Sequence, residues 1–195
     1  VIFTAPGKET RKPWQIDCMK VDIYTDGSAL GNPGPGGYGV ILQSGRHYKE
    51  ISAGYRMTTN NRMELMAVIV GLEALKKSGT EVCIYSDSTY VVRAVEEGWL
   101  DKWRVKGFRK KKNVDLWKRY MDAASGHKVR FVWIKGHAGH PQNEQCDRLA
   151  VAAASAPVEE LMEDKGFIAE NSLSPAGHQD GLFDIMTLAN GMGWN

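Results

Sequence analysis

The sequence predicts an α/β fold, a mixed five-stranded sheet flanked by helices. Three strand-like runs precede the first helical pattern, and the two later strands are each set off by helical segments. The resulting order, β-β-β-α-β-α-α-β-α, is that of a meander followed by crossovers. Length agrees, since 195 residues with 43% hydrophobic content suit one core with appendages.

Residues 1–19 hold Pro6, Gly7 and Pro13 and few apolar positions, so a poorly structured lead is expected there. Residues 21–26 alternate like a strand that ends at Asp26. Turn formers crowd 31–37, and 38–42 and 50–57 supply the next two strands. Asn60 is placed to cap a helix over 62–77, with Ser78-Gly79 as its stop. Residues 81–86 form a strand, 89–97 a short helix closed by Gly98, 114–125 another helix and 129–134 the fifth strand. A Gly/His/Pro loop over 135–142 leads to a last helix over 143–156. The expected division is lead 1–19, catalytic domain 20–156 and an acidic extension 157–195.

No apolar run approaches the roughly 18 residues of a membrane span, and the opening Val1-Ile2-Phe3-Thr4 lacks a secretory layout. Cys18, Cys83 and Cys146 have no metal-type spacing, which fits a reducing cytoplasm without zinc. The net charge of +2 hides an asymmetry. Residues 157–195 carry seven acids against Lys165 alone, a net of −6, leaving +8 for the rest. A basic body with an acidic tail points to a polyanionic partner.

Four carboxylates stand where a carboxylate has no obvious structural duty. Asp26 and Asp87 close apolar strands, Glu64 interrupts the buried-looking helix Met63-Glu64-Leu65-Met66-Ala67, and Asp147 precedes the apolar turn Leu149-Ala150. Burying such charges unpaired costs several kcal/mol. Crossovers bring the ends of the first and fourth strands together, so Asp26 and Asp87 should meet, with Glu64 and Asp147 arriving on helices. Acids gathered this way suit hard divalent cations. Two ions roughly 3.5–4 Å apart can activate water and stabilise a leaving oxygen at phosphorus. In that arrangement Asp26 bridges both ions, Glu64 and Asp87 complete one position and Asp147 the other. Helix capping and surface ion pairs would also account for Asp87 and Asp147, though poorly for Glu64.

His137, between glycines in Lys135-Gly136-His137-Ala138-Gly139, is either a proton-exchanging group at the reaction centre or a solvated loop residue. The stretch 99–112 interleaves seven basic residues, among them Lys106, Lys110, Lys111 and Lys112, with Trp99, Trp103 and Phe108. Cations on phosphates and aromatics on sugars or bases make this a nucleic-acid-binding segment. Asn32, Thr59, Asn60 and Asn61 are further candidate contacts from loops beside the acids, or turn and cap residues.

The segments Tyr24-Thr25-Asp26-Gly27-Ser28, Gly31-Asn32-Pro33-Gly34-Pro35-Gly36-Gly37-Tyr38-Gly39, Thr58-Thr59-Asn60-Asn61-Arg62-Met63-Glu64-Leu65, Ser86-Asp87-Ser88 and Trp133-Ile134-Lys135-Gly136-His137-Ala138-Gly139-His140-Pro141 resemble bacterial type 1 ribonuclease H. With Asn143-Glu144-Gln145-Cys146-Asp147 they follow that family's order and spacing over about 20–156. The resemblance implies a ribonuclease H-like fold and an endonuclease that cuts the RNA strand of RNA–DNA hybrids, leaving 5′-phosphate and 3′-hydroxyl ends. It implies Mg²⁺, two ions per site with Mn²⁺ as a substitute, held by Asp26, Glu64, Asp87 and Asp147. It gives His137 a part in proton transfer or product release, and makes the basic aromatic segment a handle for the DNA strand. Asn32, Asn60 and Asn61 then lie near the RNA strand and Thr59 at a DNA phosphate. Hybrid selectivity would rest on the 2′-hydroxyl of one strand and its absence from the other. Thr89 and Met57 depart from the family's usual glutamine and arginine, which bears on affinity and cleavage preference.

Two other readings compete: a module that binds through the handle without cutting, and an integrase-like enzyme acting on DNA. All four acids speak against the first, and the handle and Gly-Asn-Pro-Gly loop against the second. The enzyme is expected to be a monomer. The apolar stripe over 182–189 leaves three roles open for the tail: docking on the body, engaging a protein partner or shielding the basic groove. A loosely ordered extension is the alternative.

Overall fold

The computed structural model describes residues 20–172; the lead before Lys20 and the apolar stripe over 182–189 lie outside them. Eleven elements follow in the order β1 (Lys20–Ala29), β2 (Gly34–Ser44), β3 (His47–Thr58), α1 (Asn60–Glu73), β4 (Glu81–Ser86), α2 (Thr89–Glu96), α3 (Trp99–Val105), α4 (Val114–Ala124), β5 (Lys128–Trp133), α5 (Pro141–Ala154) and α6 (Lys165–Ser172). The sheet order is β3-β2-β1-β4-β5. β1, β2 and β3 form the antiparallel meander, and β4 and β5 join in parallel. The mixed five-stranded sheet expected from the sequence is therefore present.

Side chains alternate across the sheet as the strand repeat requires. Ile23, Val40 and Leu42 face α1 and share the main core with its Met63, Val68 and Leu72 and with Leu116 and Trp117 of α4, which packs on α1. Tyr24 and Ile41 face the other way and meet Cys146 of α5. On this second face α5 lies unusually close. A Cβ on Gly39 would fall 2.1 Å from the Cys146 carbonyl oxygen, and one on Gly54 2.0 Å from that of Ala153. The helix backbone rests on a floor of glycines where larger side chains would hold it off.

The main departure from the sequence reading is at the start of β2. Turn formers over 31–37 suggested a loop, yet Gly36 and Gly37 belong to β2 and pair with Ala29 and Ser28. β1 accordingly runs on through Asp26 to Ala29. Thr59, not Asn60, is the N-cap residue of α1, which ends at Glu73, a turn earlier than expected. The helix α3 was not foreseen. Gly98, expected to stop α2, is the left-handed residue from which α3 starts.

The chain also stays on the body past residue 156. Met162 bridges Tyr55, donating its N–H to Gly54 and accepting from Arg56, so the tail covers the β3 edge. Leu161 is buried there. Asp164, 4% exposed, takes a two-pronged hydrogen bond from the buried Arg62 guanidinium and another from Thr58 Oγ1. Its Oδ1 also accepts from the Phe167 N–H and starts α6.

Candidate active site

The parallel register of β1 and β4 ends at the pair Thr25↔Ser86. The next residues are Asp26 and Asp87, so two strands deliver two carboxylates to one sheet edge. Gly27 lets α1 reach the same place: a Cβ there would lie 2.2 Å from the Glu64 backbone nitrogen. Asp147 arrives through α5. Gly39, the cross-strand partner of Asp26, sits under Cys146, whose thiol donates to the Tyr24 carbonyl at 3.3 Å. Asp147 is thereby set above β1.

Asp26, Glu64, Asp87, Asp147, His137 and Asn60 line one cavity of about 280 Å³ with Gly27 and Ser28. Among the described residues no Lys or Arg lines it. Burial, then the charge of Asp87, pushes the Asp26 carboxyl up to about 8; the Gly27 N–H opposes this, and Asp147 and Glu64 add to it. Burial likewise raises Glu64, helped by Asp87 and opposed by hydrogen bonds from Ser88 and Asn60. Among the described residues no three of His, Cys, Asp or Glu form a ready ligand cluster; the acids line the cavity rather than close round one point. An all-oxygen set of carboxylates, with Asp26 and Glu64 raised by burial and neighbouring charge and no cation from the described residues, fits hard divalent ions.

Several supporting residues went unnoticed in the sequence. Ser88 caps α2 through the Val91 N–H while donating to Glu64. Asn143 Nδ2 lies 3.4 Å from Asp87 Oδ2, and its Oδ1 is buried without a partner. Trp133 Nε1 donates to the Asp87 carbonyl at 3.1 Å. The 143/147 spacing, one helical turn before an acid, was the available signal for Asn143. His137 has a left-handed backbone, φ 51°, in a loop whose Gly136 packs against Asp87.

The remaining candidates divide. Asn32, Thr59, Asn61 and Lys112 line a second pocket of about 410 Å³ with Pro33, Asn113 and three residues of α6. Asn32 Oδ1 accepts from the Asn60 N–H, linking the two cavities. Trp99, Trp103, Lys106, Lys110 and Lys111 line neither and stay on the handle. There Trp103 packs edge-on against the core residue Trp117, and the Lys111 ammonium lies 4.8 Å above its ring. Phe108 is buried. These two aromatics anchor the handle, while Trp99 stays half-buried against Trp103 and under Arg93.

A mixed sheet that brings acids from two strands and two helices to one edge defines a carboxylate-type phosphoryl-transfer enzyme. The RNase H family model matches residues 19–155. A ribonuclease H from Desulforamulus reducens is 56% identical over 143 residues, covering 71% of this chain and 89% of that protein. Among solved structures, LC9-RNase H1, described as a type 1 RNase H with the type 2 active-site motif, has a TM-score of 0.66 at 32% identity, covering 82% of this chain and 83% of that one. LC11-RNase H1 in complex with an RNA/DNA hybrid has a TM-score of 0.53 at 29% identity, covering 69% and 96%. The chain belongs to the RNase H family and is an endoribonuclease of that bacterial type.

Proposed function

We propose that this ribonuclease hydrolyses the RNA strand of RNA–DNA hybrids at the cavity holding Asp26, Glu64, Asp87 and Asp147. The observation that carries this reading is the convergence of the four acids, with His137 and Asn60, on one cavity that no described Lys or Arg lines. The family is divalent-metal dependent, and two Mg²⁺ ions, with Mn²⁺ as a substitute, suit this donor set. Asp26, Glu64, Asp87 and Asp147 would hold them. Bound there, the ions would supply an activated water and offset the charge that builds up at phosphorus.

The chain's own residues do the positioning. Ser88 and Asn60 fix the two oxygens of Glu64, and Asn143 restrains Asp87. Water oxygen attacks phosphorus, the P–O3′ bond breaks, and a proton must reach the departing 3′-oxygen. His137, on its exposed loop, moves that proton or assists release. Asn32, Asn60 and Asn61 take the RNA strand, Thr59 a DNA phosphate, and the handle with Trp99, Trp103, Lys106, Lys110, Lys111 and Lys112 the DNA backbone. Catalysis belongs to residues 20–156. The buried, unpaired Cys83 and Cys146 fit a reducing cytoplasm, where we place a monomer. Among the described residues no helix is long and apolar enough to cross a membrane.

The test is cleavage of a labelled RNA–DNA hybrid beside RNA–RNA and DNA–DNA duplexes, with Mg²⁺ or EDTA. Loss of only the hybrid's RNA strand, dependent on metal and absent in Asp87→Asn, is expected. Equal cutting of a DNA duplex would overturn the assignment. His137→Ala should slow single-turnover cleavage about 10²-fold without abolishing it.

A further inference from the structure

The second pocket has a wall that belongs to the tail. Phe167, Glu170 and Asn171 of α6 face Asn32, Thr59, Asn61, Lys112 and Asn113 across it. Asn113 is held rigidly. Its Nδ2 donates to Tyr90 Oη at 3.1 Å, and its Oδ1 lies 3.5 Å from Arg62 Nη1. Tyr90 is itself fixed by Trp117 Nε1 at 2.9 Å. Its backbone N–H goes to Glu170 Oε2 at 3.3 Å. The same carboxylate oxygen is 4.0 Å from Arg62 Nη1.

The position of α6 is fixed independently of Glu170. Asp164 starts the helix while locked to Arg62, and Gly166 lies so close over the Arg62–Asp115 pair that a Cβ would fall 1.8 Å from Asp115 Oδ2. Two turns on, the helix delivers one carboxylate into a pocket lined by an ammonium, a hydroxyl and amides. A backbone N–H, a lysine ammonium and a threonine hydroxyl are the donors a phosphodiester oxygen would use.

We propose that Glu170 is an internal phosphate mimic that sets the enzyme's affinity for its substrate backbone. A strand phosphate entering this pocket must displace the Glu170 carboxylate from the Asn113 N–H. The inference rests on the hybrid-binding reading above and deepens it. It differs from general shielding by an acidic tail, because it assigns the effect to one carboxylate at one donor.

The experiment measures hybrid dissociation constants in an Asp87→Asn background, where the RNA strand stays intact. Glu170→Gln, which keeps the shape and removes the charge, should bind about threefold to fivefold tighter at low salt, with the gain shrinking as salt rises. Glu170→Lys should bind tighter still. Glu163, exposed and outside the pocket, supplies the control, and Glu163→Gln should leave the constant unchanged. Equal gains from both glutamine variants would overturn the proposal in favour of diffuse repulsion, and no gain from either Glu170 variant would also overturn it. A parent that binds no hybrid at all would instead sink the substrate reading.

Discussion

Arg62 and Glu64 stand two residues apart at the start of α1, and the carboxylates around them live in opposite electrostatic settings. Round Arg62, the fold supplies its own cation. The guanidinium, 1% exposed, is shared by Asp164 and Asp115, both held at 2.7–2.9 Å. Burial alone would raise the Asp115 carboxyl, but the Arg62 hydrogen bonds and charge bring it below the usual carboxylate range. Round Glu64 no described residue supplies such a cation, and Asp26 and Glu64 are both pushed up. Both clusters are acidic and partly buried. One is neutralised by sequence-distant chain, and the other is left for something no described residue provides. An acid's partner, more than its burial, separates the carboxylates the fold satisfies from those it leaves raised.

The sharpest way to break this contrast is to neutralise one acid on each side. Asp26→Asn should cost at least about 10³-fold in cleavage rate while raising the melting temperature of the metal-free protein, because it relieves repulsion. Asp164→Ala should cost about 3–5 kcal/mol in urea unfolding, since it leaves buried Arg62, Thr58 and the Phe167 N–H short of a partner. If Asp26→Asn destabilised the fold as Asp164→Ala does, the two clusters would not differ in kind.

Stability against pH refines the same comparison. Asp26 has a folded pKa of about 8, above its unfolded value of about 4. Its contribution is fully present below about pH 4 and is lost as pH rises through about 8. In EDTA the melting temperature should therefore fall from about pH 5 to pH 8, Asp26→Asn should flatten that fall, and Mg²⁺ should reverse it. Asp115 acts with the opposite sign: its contribution is present above the unfolded value and lost as acid protonates it. A metal-free melting temperature that rose steadily to pH 8 would contradict the assignment for Asp26. The smallest effect concerns the handle. Replacing Lys110, Lys111 and Lys112 by Ala should raise KM about threefold to tenfold and flatten its salt dependence.

The four acids were legible because each interrupts an apolar pattern, and the pattern is local. The sheet was legible for the same reason. Asp26 was placed at a strand end, whereas β1 continues to Ala29; only the parallel partner ends there. The glycines over 34–37 signal turns by composition, and only their pairing with β1 and β3, with α5 lying against Gly37, makes them strand. The seven-residue α3 has too few turns to show a period. Trp103 and Phe108 read in the sequence as aromatics for sugars or bases; that they also anchor the handle was not legible, because Trp117, which Trp103 packs against, comes from a different helix. Arg62 meets Asp164 across 102 positions, and no local pattern announces such a pairing. The Glu170 contact with Asn113 was out of reach for the same reason.

The glycine floor beneath α5 bears on how damage to this enzyme would be read. Gly39 and Gly54 touch no substrate, yet any side chain there would lift the helix that carries Asp147. In a survey of random variants scored by activity, both positions would look as intolerant as the acids themselves. Folding yield would separate them: an acid variant stays soluble and inert, whereas a glycine variant is lost before it can be assayed.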